Sequence, residues 1–135
     1  VCGLQEVHRP CGRIDRYVAD GDEIGVGEWR FKFLSTPGHT PGQGCYYDDK
    51  YVFSGDTLFA GSIGRTDFPL SDPDLMWASL RRLLELPGHL IVCSGHGPAT
   101  TLDEELRGNP FLDYLRRERG LPSFSSDMAP GPRWG

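Results

Sequence analysis

The chain has 135 residues, with 38% hydrophobic and 24% charged side chains and a formal net charge of −5, the make-up of one ordinary globular domain. Lys and Arg form no block beyond the short run Arg116-Arg117-Glu118-Arg119. A surface that tracks nucleic-acid phosphates is therefore not expected, and the run reads as a solvated helix end whose cations complement the backbone dipole.

Cys2, Cys11, Cys45 and Cys93 make no Cys-x-x-C pair. Such spacing suits neither a zinc ribbon nor a disulfide-stapled secreted fold, and a reducing, cytoplasmic setting is expected. Cys45 and Cys93 lie in apolar stretches and read as small buried hydrophobes. No segment approaches the ~18 apolar residues of a membrane helix, and no signal-peptide pattern opens the chain. The first residues are Val1-Cys2-Gly3 with no initiator Met, so processing or truncation upstream is expected.

Residues 1–13 read as a connection with a short strand. Apolar alternation from Ile14 to Val26 is broken by the turn signal Asp20-Gly21-Asp22. Trp29, Phe31 and Phe33 then alternate with Arg30 and Lys32, the period of a half-buried strand. Pro37-Gly38 and Pro41-Gly42 bracket His39, after which Cys45–Tyr47 and Tyr51–Ser54 read as a hairpin turning on Asp48-Asp49-Lys50. Residues 55–70 read as a long irregular loop, of the kind that carries function.

Asp72 as N-cap and Pro73 at the first helical position open a helix whose apolar face is Met76, Leu80, Leu83 and Leu84, stopped by Pro87-Gly88. Leu90–Cys93 is a short strand ending in Ser94-Gly95-His96-Gly97-Pro98. Thr101-Leu102-Asp103-Glu104 has the form of a capping box. Asn109-Pro110 begins a last helix, Phe111 to about Arg119, with Gly120 as its stop. Residues 121–135, rich in Ser, Pro and Gly, read as a disordered tail after a single domain over 1–120. The order predicts an α+β sheet covered by helices on one side, with a second face that needs another cover.

His39, Asp56 and His96 each follow an apolar strand beside a glycine. A strand ending in this way throws its polar side chain out at the sheet edge, so three such ends can converge on a cation, and imidazole with carboxylate suits zinc or iron. On composition and spacing alone this is a moderate signal, since a His beside a Pro-Gly turn is more often structural.

The local wording adds to it. Thr36-Pro37-Gly38-His39-Thr40-Pro41-Gly42, Ser54-Gly55-Asp56-Thr57-Leu58-Phe59, Gly64-Arg65-Thr66-Asp67-Phe68-Pro69, Gly95-His96-Gly97-Pro98 and Asn109-Pro110-Phe111-Leu112 closely resemble, in order and spacing, the C-terminal half of metallo-β-lactamase-fold hydrolases of the glyoxalase II-like branch. The resemblance runs from about Asp20 to Leu115. It implies the C-terminal half of an αββα sandwich and two metal ions, zinc with iron or manganese as substitutes. His39 would bind one ion, His96 the other, and Asp56 would bridge them and orient a metal-bound hydroxide. The substrate implied is a small-molecule thioester of the acyl-glutathione type. However, residues 111–135 are too few for the helical extension that holds glutathione in glyoxalase II.

The family's other ligands come from an earlier His-x-His-x-Asp-His motif, and this chain contains none. His8 and His89 stand outside any such pattern and read as exposed and uninvolved. Each ion would then keep two ligands here, whereas a catalytic zinc normally has three from the protein. The chain alone is expected to hold metal weakly and to hydrolyse little, and a complementary N-terminal half-domain becomes a candidate partner.

Arg65 and Asp67, in the loop beside the site, read evenly as ligand-orienting residues or as an ordinary loop salt bridge. Tyr46, Tyr47, Phe59 and Phe68 read as core or loop-anchoring aromatics. Two other readings stay open. The chain also resembles the iron-dependent persulfide dioxygenase branch in Thr36–Gly42 and Gly64–Phe68, where His39 and Asp56 would serve one iron without His96. It could also be a non-catalytic truncated half-domain.

Overall fold

The computed structural model describes residues 2–3 and 13–122; His8, Cys11 and the tail from residue 123 lie outside the described residues. A short parallel pair joins β1 (Cys2–Gly3) to β2 (Tyr17–Val18). The main sheet has six strands in the order β10-β9-β6-β5-β4-β3. These are β3 (Glu23–Val26), β4 (Trp29–Ser35), β5 (Gly44–Tyr47), β6 (Tyr51–Gly55), β9 (Ile91–Ser94) and β10 (Thr100–Thr101). Every neighbouring pair is antiparallel except β6 with β9.

The expected β5–β6 hairpin forms because Asp48 accepts the main-chain N–H groups of Lys50 and Tyr51 on one oxygen, at 2.8 and 2.7 Å, an Asx-type turn. The expected helix is α1 (Pro73–Leu83), and its Asp72 cap accepts from the N–H groups of Asp74 and Leu75. Thr101 caps α2 (Leu102–Gly108) by accepting from the Glu104 N–H at 3.1 Å. The last helical segment divides into a 3-10 turn, Pro110–Leu112, and α3 (Asp113–Glu118).

Two expectations are corrected. Residues 55–70 are not irregular throughout: β7 (Leu58–Phe59) and β8 (Ser62–Ile63) form a small antiparallel hairpin within them, with Leu58 fully buried beneath it. The basic run is not uniformly solvated either. Arg116 is buried, donating to the carbonyls of Leu106 and Asn109 at 2.8 and 3.0 Å and meeting Asp113 at 3.3 Å. The α2–α3 corner turns carbonyls inward there, and a guanidinium satisfies several at once.

The pleat separates two faces. Leu34 pairs with Cys45 and Val52 with Val92, and these join Met76, Leu80 and Leu83 of α1 and Leu102, Leu112 and Leu115 in the main core. Helices α1, α2 and α3 thus cover one side. On the opposite face Val18, Ile24 and Phe33 make a small second cluster. Beyond it, Val26, Trp29, Phe31, Tyr51 and Phe53 line an apolar groove of about 700 Å³, in which Trp29 is 59% exposed. The Trp29–Phe33 strand is therefore buried on this face only at its Phe33 end. Among the described residues no helix is long and apolar enough to cross a membrane.

Candidate metal centre

The topology alone brings the three candidate ligands together. β6 and β9 are parallel neighbours. β4 is antiparallel to β5 and β5 to β6, so β4 runs the same way as β6 and all three strands end at one edge of the sheet. His39, Asp56 and His96 follow those ends by four, one and two residues, respectively. Gly55, at φ +53°, makes the turn that delivers Asp56, a conformation costly for other residues, and its carbonyl accepts the Gly95 N–H at 2.9 Å, joining the two strand ends.

Asp56 stands between the imidazoles. His39 Nε2 lies 3.5 Å from Asp56 Oδ2, and His96 Nε2 lies 3.6 Å from Asp56 Oδ1. Two ligands that share a tetrahedral ion at bond lengths of about 2.0–2.2 Å stand roughly 3.4 Å apart, so both separations fit one ion between each His and its own carboxylate oxygen. The hydrogen bonding supports the same use. His39 Nδ1 lies 2.8 Å from the main-chain carbonyl of Arg65. A carbonyl only accepts, so Nδ1 carries a proton, and in the neutral ring Nε2 then offers its lone pair toward Asp56. The donors reach open surface to different degrees: their side chains are 17% (His39), 41% (Asp56) and 80% (His96) exposed. Among the described residues no group of three or more His, Cys, Asp or Glu could hold an ion, so closed coordination needs donors from outside them. His89 is exposed and hydrogen-bonded to the Asp49 carbonyl at 3.0 Å, away from the site.

Arg65 and Asp67 pair with each other through two hydrogen bonds of 2.9 and 2.8 Å. That pairing holds the Arg65 guanidinium above its ordinary value and the Asp67 carboxyl below its own. The Arg65 guanidinium lies 4.7 Å over the Phe68 ring, whose centroid is 5.4 Å from that of His39 in an edge arrangement. The atom of Arg65 that touches a candidate ligand is the main-chain oxygen, which composition could not reveal. Phe59 lies beside His96, ring centroids 5.7 Å apart.

Beneath the site the strand ends are tied by polar groups. Thr36 and Thr57 share a hydrogen bond of 2.9 Å, Gln43 donates to Thr57, and the Cys45 thiol lies 3.6 and 3.8 Å from the two hydroxyls. Burial pushes that thiol up to about 11, so Cys45 is the inert buried hydrophobe expected; Cys93 is only half-buried. Gly64 was also not singled out by sequence: a Cβ there would stand 1.7 Å from the Asp56 carbonyl oxygen.

Residues 6–96 match the metallo-beta-lactamase superfamily, and the chain belongs to that superfamily, as an α+β unit corresponding to the C-terminal half of its fold. It is 42% identical over 97 residues to hydroxyacylglutathione hydrolase GloC of Haemophilus influenzae, covering 70% of this chain and 46% of that protein. Among solved structures it is similar to the BLEG-1 B3 metallo-beta-lactamase (TM-score 0.69, 44% identity, 73% of this chain and 48% of that one). It is also similar to TTHA1623 in a di-iron-bound form (TM-score 0.67, 47% identity, 75% and 50%). The chain spans about half the length of the curated relatives it matches.

Proposed function

We propose that this chain supplies the second set of ligands to a two-metal hydrolase acting on a small-molecule thioester. The observation that carries the reading is the placement of Asp56, one oxygen toward each imidazole at 3.5 and 3.6 Å. His39 would hold one ion, His96 the other, and Asp56 would bridge them, with zinc, iron or manganese as candidates. The di-iron form of TTHA1623 supports a pair of ions, and the hydroxyacylglutathione hydrolase relative supports a thioester. Bound there, such ions supply an acidified water and polarise a carbonyl.

The chain's own residues do the rest. The Arg65 carbonyl fixes the His39 tautomer, and the Gly55–Gly95 bond keeps the ends of β6 and β9 together. The exposed side of the three donors leaves room for a substrate. Phe59 and Phe68 are anchors of the ligand histidines in this reading, not substrate contacts. The buried, unreactive Cys45 suits the cytoplasmic setting expected from the sequence.

The partner proposed for the open sheet face is the complementary N-terminal half. The chain spans about half of its relatives, and the uncovered groove of Trp29, Phe31 and Phe53 is an apolar area of the kind that marks an interaction surface. The test is to pair the chain with a segment bearing His-x-His-x-Asp-His and to measure metal content and hydrolysis of an S-acyl-glutathione. Uptake of metal with thioester cleavage supports the reading; tight uptake without cleavage of any thioester removes the substrate assignment.

A second reading places one iron at His39 and Asp56, for persulfide oxidation. The 80% exposure of His96 against 17% for His39 favours it. One iron per chain, with His96 dispensable and oxygen consumed with a persulfide substrate, would support it.

A further inference from the structure

The β7–β8 turn touches all three candidate ligands indirectly. Its first strand follows Asp56 and Thr57. Its second leads through Gly64, whose N–H donates to the Thr57 carbonyl at 3.2 Å, into Arg65, whose carbonyl holds His39 Nδ1 at 2.8 Å. Phe59, at the end of β7, lies against the His96 ring. Any slip of this hairpin would move the groups that orient both imidazoles.

The turn is held from behind by side chains that the metal reading leaves without a role. Asn109 Nδ2 donates to the Ser62 carbonyl at 3.1 Å, to Glu105 Oε1 at 3.1 Å and, more weakly, to the Phe59 carbonyl at 3.5 Å. Glu105 Oε1 also accepts the Gly61 N–H at 2.7 Å, while Oε2 accepts from the Thr100 hydroxyl at 2.6 Å. Both residues are at most 2% exposed. Buried amide and carboxylate groups are costly unless satisfied, and here they are satisfied by the main chain of residues 59–62, by each other, by the Thr100 hydroxyl and by the Phe111 N–H.

We infer that Asn109 and Glu105 form a clamp on residues 59–62 that positions His39 and His96 for metal. The inference rests on the metal reading above for its purpose, though not for its geometry. Asn109 and Glu105 are positioning residues: they act on His39 through the Arg65 carbonyl and on His96 through Phe59.

The test uses Asn109→Ser, since Ser keeps a cap for the Phe111 N–H, now made by Asn109 Oδ1 at 3.0 Å, but cannot reach the hairpin. Leu83→Ala serves as a core-destabilised control. Long-range 1H–15N NMR on the full metal-free chain, above the ordinary imidazole range, should find the His39 proton on Nδ1 in the parent and in Leu83→Ala. In Asn109→Ser it should shift substantially to Nε2. Thr100→Val, which removes one bond to Glu105, should give a smaller shift in the same direction, and it decides the matter if Asn109→Ser does not fold.

In the protein paired with its ligand-bearing half, cobalt(II) affinity should fall about 10–100-fold in Asn109→Ser, the usual cost of losing an outer support. A changed tautomer in Asn109→Ser, with a parent that takes up no cobalt, would keep the clamp and sink the metal reading. An unchanged tautomer and unchanged cobalt affinity in folded Asn109→Ser would overturn the clamp and leave the metal reading standing.

Discussion

His39 Nδ1 donates to the main-chain carbonyl of Arg65 at 2.8 Å, and this one bond decides which nitrogen of the ring faces Asp56. It joins the loop after β4 to the loop after β8 across twenty-six residues. Because the acceptor is backbone, the side chain of Arg65 is dispensable to it. Arg65→Ala removes an exposed pair with Asp67, of a type that contributes little. The expected outcome is unchanged denaturation and metal content, checked by urea titration and metal analysis of the paired protein; a loss of metal would return the guanidinium to the site.

Gly64→Ala should be far more damaging. The added methyl would collide with the Asp56 carbonyl at 1.7 Å, and backbone has little room to give. Overpacking typically costs about 1–3 kcal/mol, here with a fall in metal affinity as Asp56 shifts. Urea midpoints with cobalt titration measure both, and a variant as stable and as metal-competent as the parent would refute the close packing.

The open sheet face makes a separate prediction. Phe31→Glu places a charge in the groove without touching the helix-covered core. It should raise the solubility of the chain alone and abolish pairing with a ligand-bearing half, as read by size-exclusion chromatography. Pairing that survives this substitution would exclude the groove as the interface.

Asp20 makes a prediction about pH. Partial burial pushes its carboxyl up, but the Ser35 N–H at 2.8 Å and the Arg82 guanidinium outweigh burial and hold it below the ordinary range. A folded value below the unfolded one adds stability above the unfolded value of about 4 and loses it as pH falls through the folded value. Asp20→Asn should therefore be less stable than the parent at pH ~7, by about 0.5 kcal/mol after solvent screening of a half-exposed pair. The gap should close on acidification below about 4. Urea midpoints across that range check it; a gap independent of pH would mean the contribution is not ionic.

Much of this was legible in the sequence because it is local. Asp72-Pro73 caps α1, Asp48 turns the β5–β6 hairpin, and glycines mark the strand ends that carry His39, Asp56 and His96. What sequence did not yield depends on distant partners. The β7–β8 hairpin is stabilised by Asn109 and Glu105, some fifty residues on. Arg116 is buried because carbonyls of residues 106 and 109 turn toward it. The role of Arg65 lies in its backbone, which every residue shares. Asn109-Pro110 was visible as a helix start, yet nothing local says that its amide reaches back to the site.

The most direct test of the proposed centre is metal analysis of the paired protein and its His96→Ala variant after dialysis. Two ions per chain in the parent and about one in the variant is the expected result, since His96 and Asp56 Oδ1 together face one position. An unchanged metal count in His96→Ala would contradict the two-ion centre and leave His39 and Asp56 as this chain's candidate ligands among the described residues.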